Sequence, residues 1–201
     1  MERSLYISSL LMVRFPGVEL NLRNAIETIA SIVWKKTFNQ FDMNYRTIEH
    51  LKETGFVGFV QVAELWNRAL RMIPDVPGVY AVCRVSDEAP VFLETGTGGH
   101  FKGKDPNVAV EELAANWVDG TPVVYIGKAT SLRKRISQYI RFGQGKPVGH
   151  WGGRYIWQLA DASELLFCWR EVDGDPDAVE TELIRAFREA YGSRPFANLS
   201  K

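Results

Sequence analysis

The stretch that decides the fold is TPVVYIGKATSLRKRISQY, residues 121 to 139. Its short apolar run, Val123 to Ile126, is bounded by Pro122 and Gly127 and predicts a buried strand. Thr130 is a side chain able to cap a helix, and beyond it Leu132, Ile136, Tyr139 and Ile140 recur at helical spacing. If that stripe faces a sheet, Arg135 lies beside Tyr139 at the flank, while Lys134 points to solvent. The junction is also the centre of a charge segregation. From Thr121 to Tyr155 the sequence carries Lys128, Arg133, Lys134, Arg135, Arg141, Lys146 and Arg154 but no Asp or Glu. The whole chain balances 24 Lys and Arg against 24 Asp and Glu. Any electrostatic preference must therefore be local, and this segment is either a solvated basic face or a place where the chain grips phosphate.

Working outward, Pro74 and Pro77 precede Gly78 to Cys83, a bulky apolar run that predicts a central strand. Residues 86–120 form a polar, glycine-rich excursion that turns helical from about Pro106, with Val110, Leu113, Ala114 and Trp117 on one side. Tyr155 to Leu159 predicts a short strand and Leu165 to Trp169 a clearer one. Pro176 starts a last helix that Gly192 and Pro195 end. The order β, insertion, β, α, β, α predicts an α+β domain, a small mixed β-sheet flanked by helices. Upstream, Leu22, Ile26, Ile29 and Val33 fall at helical spacing, as do Ile48 with Leu51 and Val60 with Leu65, Ala69 and Leu70. The predicted organisation is a helical N-terminal section, 1–72, followed by a domain over 73–201 with the insertion 86–120. At 201 residues and 46% hydrophobic content such a chain can bury a substantial core.

Several function classes are disfavoured. Cys83 and Cys168 each sit in an apolar run, as small core side chains in a reducing, cytoplasmic protein would. Two isolated cysteines and the scattered His50, His100 and His150 assemble no zinc ligand set. The apolar run Leu5 to Val13 is broken by Ser8 and Ser9 and is too short to span a bilayer. The glycines between Thr95 and Gly99 lack the Gly-Lys-Ser/Thr of a phosphate loop.

Spacing separates two glutamates. Glu180 stands three, four and seven positions before Leu183, Ile184 and Phe187, on the packed face of the last helix; Glu182 shares its side with Arg185 and Glu189. A carboxylate on a packed face needs a partner, which a metal ion or a buried arginine would supply equally well. Arg135 offers a permanently charged fork suited to phosphate. Tyr80 and Tyr125 are strand aromatics whose phenols titrate near pH ~10, so either serves as a base only where neighbouring cations favour the phenolate. In the run Gly149-His150-Trp151-Gly152-Gly153-Arg154, adjacent glycines allow close backbone approach, and His150 and Arg154 are side chains that can contact nucleic acid.

Gly78-Val79-Tyr80 and Tyr125-Ile126-Gly127 resemble the paired signatures of the GIY-YIG nuclease superfamily, in particular the incision domain of bacterial nucleotide excision repair. The likeness extends through Lys128-Ala129, Leu132, Arg135 and Tyr139, and to Glu180, Leu183-Ile184, Pro195 and Asn198 near the C-terminus. It covers roughly Pro74 to Leu199. The resemblance implies an endonuclease that hydrolyses DNA phosphodiester bonds with one divalent cation, Mg2+ or Mn2+. By position, Tyr125 matches the tyrosine that activates the attacking water, Glu180 the metal ligand and Arg135 the transition-state clamp. Tyr80, Lys128 and Tyr139 match supporting groups, and Asn198 an asparagine that steadies the site. Lys128, Arg133, Lys134, Arg135, His150, Arg154 and Asn198 are the expected nucleic-acid contacts. The partner implied is DNA, with nothing in the sequence separating it from RNA, and a second protein or a second copy of the chain is a candidate source of specificity. One departure is plain: Tyr80 and Tyr125 are 45 positions apart, where the family joins its two signature strands by a short hairpin. A catalytically silent nucleic-acid-binding or protein-interaction module that keeps the fold is the alternative.

Overall fold

The computed structural model describes residues 45–199 apart from Arg68. The apolar run Leu5 to Val13 and the helical spacing from Leu22 to Val33 lie outside the described residues. Along the chain the elements are α1 (Ile48–Glu53), β1 (Val57–Gln61), α2 (Val62–Trp66), a 3-10 turn (Ala69–Met72), β2 (Gly78–Cys83), α3 (Val110–Asn116), β3 (Val123–Ala129), α4 (Leu132–Gly143), a second 3-10 turn (Arg154–Gln158), β4 (Leu166–Glu171) and α5 (Pro176–Tyr191). The four strands form one sheet in the order β1-β4-β2-β3. This is the α+β class with a small sheet flanked by helices, consistent with a GIY-YIG-like fold. All three pairings are antiparallel, where a mixed sheet was expected.

The sheet is covered on both faces, which is why β2 reads as a continuous apolar run with all six residues buried. One face packs Tyr80, Val82, Val124, Phe167 and Trp169 against Leu132, Ile136, Tyr139 and Ile140 of α4. The other packs Val79, Ala81, Cys83, Ile126 and Cys168 against Leu183, Ile184 and Phe187 of α5. Both cysteines are buried and free, as small core side chains. The outer edge of β3 is closed by the C-terminal segment. The Ala197 amide donates to the Val124 carbonyl at 2.8 Å, and Asn198 pairs with Ile126 through both ends of its amide, at 2.9 and 2.8 Å.

Three local predictions fail for identifiable reasons. The helical spacing from Val60 holds only from Val62, in α2 (Val62–Trp66) and the 3-10 turn Ala69–Met72, because Val60 itself belongs to the end of β1. Its bulge lies between Gly58 and Val60, and Gly58 has φ +97 with no room for a side chain, because a Cβ there would stand 2.4 Å from the Trp169 ring. Tyr155 to Gln158 belong to a 3-10 turn rather than a strand, and only Leu159 makes a β-bridge, to Phe92; Tyr155, Ile156, Trp157 and Gln158 are all buried, so no polar face remains to reveal the period. The caps and starts shift slightly: Ser131, not Thr130, caps α4 by accepting from the Lys134 amide, and α3 starts at Val110 rather than near Pro106.

The insertion is fastened to the body of the domain. At its base the Arg84 amide donates to Pro122 at 2.7 Å; the Arg84 guanidinium binds Asp161 at 2.6 Å and the carbonyls of Ser86 and Glu88 at 3.1 and 2.7 Å. Further along, the buried Gln158 side chain donates to the Leu93 and Val108 carbonyls and accepts from the Val108 amide, each at 2.9 Å. The glutamine side chain thereby adds to the backbone pairing of Phe92 with Leu159 and ties the Val108 segment to the same place.

Candidate active site

The glycines of the two signature motifs are demanded by packing. Tyr80 and Gly127 are directly opposed across β2 and β3. A Cβ at Gly127 would lie 2.6 Å from Tyr80 Cζ and 2.8 Å from Tyr125 Cε1. A Cβ at Gly78 would lie 2.4 Å from the Arg170 carbonyl oxygen and 2.7 Å from Leu132 Cδ1. Only glycine lets the two strands pair while both tyrosine rings turn to the same face.

On that face the phenols form one aromatic cluster. Tyr125 stands 5.9 Å from Tyr80 and 5.3 Å from Tyr139 between ring centroids. Tyr80 and Tyr139 are fully buried, whereas Tyr125 keeps 6% exposure at the rim. Gly152 and Gly153 press against this cluster. The Tyr139 hydroxyl donates to the Gly153 carbonyl, and a Cβ at Gly152 would meet nothing nearer than the Tyr125 hydroxyl at 3.9 Å. Burial raises the pKa of all three phenols. For Tyr125 the Tyr80 hydroxyl and the Arg135 guanidinium pull the other way, and the Glu180 carboxylate adds to the rise. Tyr80 and Tyr139 are pushed well above the free phenol and Tyr125 less so, and all three are protonated at neutral pH.

Beside Tyr125 an open groove of about 570 Å³ is lined by Lys128 and Ala129 at the end of β3, Ser131, Lys134, Arg135 and Gln138 at the start of α4, and Asp175, Asp177 and Glu180 at the start of α5. Two helix N-termini point into it, each adding positive potential to that of the lysines and the arginine. Glu180 is 8% exposed and sits on the packed face of α5, as its spacing predicted. Lys128 Nζ lies 3.8 Å from a Glu180 oxygen, while its close contact is Asp177. Asp177 was not singled out from the sequence, although its place three residues before Glu180 puts both carboxylates on one helix face. Glu182 pairs with Arg185 at 2.5 Å on the exposed side of the helix.

The expected site residues therefore divide. Tyr125, Lys128, Lys134, Arg135 and Glu180 share the groove. Tyr80 and Tyr139 support it from within the core. Arg133 turns away, with its Nε donating to the Ile73 carbonyl at 2.7 Å. His150 is 1% exposed, stacked on Tyr139 at 3.7 Å and 3.1 Å from the Tyr80 hydroxyl through Nε2; it is placed to support the phenols rather than to meet a ligand directly. Arg154 lies over the Trp151 ring at 4.7 Å, outside the groove. Asn198 clamps β3 from its outer edge, one residue along from Tyr125.

The donor set bears on a divalent cation. Among the described residues no group of three or more His, Cys, Asp or Glu could enclose a metal. One carboxylate opening onto a solvent-filled groove instead suits a hydrated cation of the magnesium kind, which keeps several waters and takes one or two carboxylates together with substrate phosphate. Glu180 fits that description, with Asp177 the nearest second carboxylate on the same face.

Fold and groove together define a small α+β domain in which two glycine-tyrosine motifs, an arginine and a buried glutamate meet at one end of an edge strand. Over 69 residues the chain is 32% identical to UvrABC system protein C of Nautilia profundicola, a span that is 34% of this chain and 11% of that protein. The chain thus matches about a tenth of the length of this curated relative. No family model and no solved structure matches the chain. Among the described residues no helix is long and apolar enough to cross a membrane.

Proposed function

We propose that the domain is a divalent-cation-dependent endonuclease that hydrolyses phosphodiester bonds in DNA. The observation that carries this is the meeting of Tyr125, Lys128, Arg135 and Glu180, drawn from one strand and two helices, in a single open groove. The partial likeness to UvrABC system protein C supports the same reading, because that is the kind of protein the GIY-YIG resemblance points to.

In this reading Glu180 would hold the cation, which would supply charge neutralisation at the scissile phosphate and at the leaving oxygen. Arg135 grips the equatorial phosphate oxygens, held in position by the packed stripe of α4 on either side of it. Tyr125 would accept the proton of the attacking water only as the phenolate, after releasing its own proton to solvent through the groove. Arg135 and the Tyr80 hydroxyl both stabilise its phenolate, and its rim position leaves the oxygen open to the groove. Lys128 shifts from Asp177 toward the incoming phosphate, and Tyr139 and His150 fix the ring geometry from behind.

One observation favours a second reading, a nucleic-acid-binding module that cuts nothing. The Lys128 ammonium already stands between Asp177 and Glu180, where a cation would be drawn. Plasmid nicking measured across a Mg2+ and Mn2+ titration separates the two. As an enzyme, the wild type nicks only with the cation, and Glu180→Gln and Arg135→Ala each slow nicking by about 100-fold or more. Salt-sensitive DNA binding without cleavage at any cation concentration would establish the module instead.

A further inference from the structure

The insertion and the loop that follows α4 meet at a second surface, outside the groove. Residues 101–104 fold back as a tight turn, with Phe101 and Lys104 bridged and with Lys102 at φ +52 and Gly103 at φ +74. Two consecutive residues in the left-handed region make this the tip of a two-residue hairpin. The Phe101 ring rests on Gly149, where a Cβ would stand 3.3 Å away. Lys102 lies over Phe101 at 5.4 Å, and Lys104 lies over Trp151 at 5.9 Å. Trp151 is half-buried and also carries the Arg154 guanidinium at 4.7 Å. The Nε of Arg154 is buried without a hydrogen-bond partner. The one acidic side chain at the turn, Asp105, is engaged with Asn107 at 2.7 Å and His100 at 3.7 Å.

We propose that Phe101, Lys102, Lys104, Trp151 and Arg154 form a stacking platform for unpaired nucleotides, so that the insertion selects nucleic acid with a single-stranded segment beside the groove. The inference rests on the nuclease reading for its substrate, and it adds what that reading lacks, a feature that distinguishes one nucleic-acid structure from another. Three observations carry it. Aromatic faces interleaved with cations suit bases and backbone together, and stacking on a ring tolerates any base. The Lys104 cover is exposed and distant, so a base can displace it and leave its ammonium for a phosphate. The platform also adjoins the groove: Trp151 is followed by Gly152, the residue whose missing side chain faces the Tyr125 hydroxyl.

Binding of a labelled single strand, a branched duplex and a plain duplex is measured by fluorescence anisotropy on the full chain in EDTA, where no cleavage occurs. Wild type is expected to prefer the single strand and the branch over the duplex. Trp151→Ala is expected to weaken binding to those two by about 5- to 150-fold and to leave the duplex nearly unchanged, while Trp151→Phe restores most of the loss. Lys104→Ala is expected to reduce the salt dependence by about one phosphate contact. An RNA single strand bound as well as DNA supports the platform, since stacking ignores the sugar. Equal losses on single strand and duplex, or no loss in Trp151→Ala with its thermal transition intact, overturn it. The nuclease reading is judged separately by the cation-dependent nicking of Glu180→Gln, which can fail while strand preference stands, and the reverse.

Discussion

Replacing Asn198 by alanine tests the claim that the end of the chain holds the candidate site in shape. Asn198 Oδ1 accepts from the Ile126 amide at 2.9 Å and its Nδ2 donates to the Ile126 carbonyl at 2.8 Å. Both belong to the unpaired side of an edge strand, and Ile126 is itself buried. Truncation leaves one donor and one acceptor without partners, at about 1–3 kcal/mol each in a closed environment. Asn198 retains 8% exposure, so water recovers part of that, and a net loss of about 2–3 kcal/mol is expected. Urea unfolding of the full chain measures it, read as a lower midpoint at unchanged slope. Asn198→Asp sharpens the argument, because a carboxylate can still accept from the amide but sets an oxygen against the Ile126 carbonyl. It should therefore be no more stable than the alanine variant. The clamp also positions Tyr125, the preceding residue, so any nicking should fall in both variants at temperatures where they remain folded. A change in stability below about 0.5 kcal/mol for Asn198→Ala, the range of an ordinary surface substitution, would refute the reasoning.

Gly127→Ala is expected to destabilise the domain by about 1–3 kcal/mol, since its Cβ falls within 2.8 Å of both Tyr80 and Tyr125; near-UV circular dichroism should report the displaced tyrosines, and an unchanged spectrum would count against the packing argument. His150 supplies the pH test: burial first, and Arg135 second, hold its pKa well below that of a free imidazole. The unfolded chain therefore takes up the proton first. Stability is full above pH ~6.5 and falls as pH drops below it, by at most about 1.4 kcal/mol per pH unit, and chemical denaturation from pH 7.5 to 5 should show a flatter profile for His150→Phe than for wild type.

The parts of the molecule legible in the sequence are those set by periodicity along one segment. The stripe Leu132, Ile136, Tyr139 and Ile140 could be assigned to the core because all four lie on one helix face, and that stripe fixed Arg135 at the flank and Lys134 outward. The same logic placed Glu180 inward and Glu182 outward. What stayed hidden depends on pairings between distant segments. The bulge at Gly58 is dictated by Trp169, a residue 111 positions away. Gln158 carries polar atoms into a wholly buried turn, and its partners in the insertion have no signature of their own. His150 reads as a candidate nucleic-acid contact in a glycine-rich turn, yet those glycines let the loop close onto Tyr139, and the closure buries the histidine.

The same distinction recasts the basic segment. Taken alone, residues 121 to 155 carry only positive charge, which suggested a surface ready for phosphate. In the folded domain the start of α5 brings Asp175, Asp177 and Glu180 against Lys128, Lys134 and Arg135, so the formal charges lining the groove cancel. A phosphodiester entering alone would meet no net formal charge, only the two helix N-termini, and would have to draw Lys128 away from Asp177. A divalent cation entering alone would be repelled by three neighbouring cations. Together they leave the groove one charge more positive than before, with each compensating the charge that opposes the other. A neutral groove of this composition therefore favours joint occupation by cation and phosphate, the condition the proposed hydrolysis needs, whereas on the proposed reading permanent binding of a strand would fall to the Trp151 turn, where Lys102, Lys104 and Arg154 outnumber Asp105.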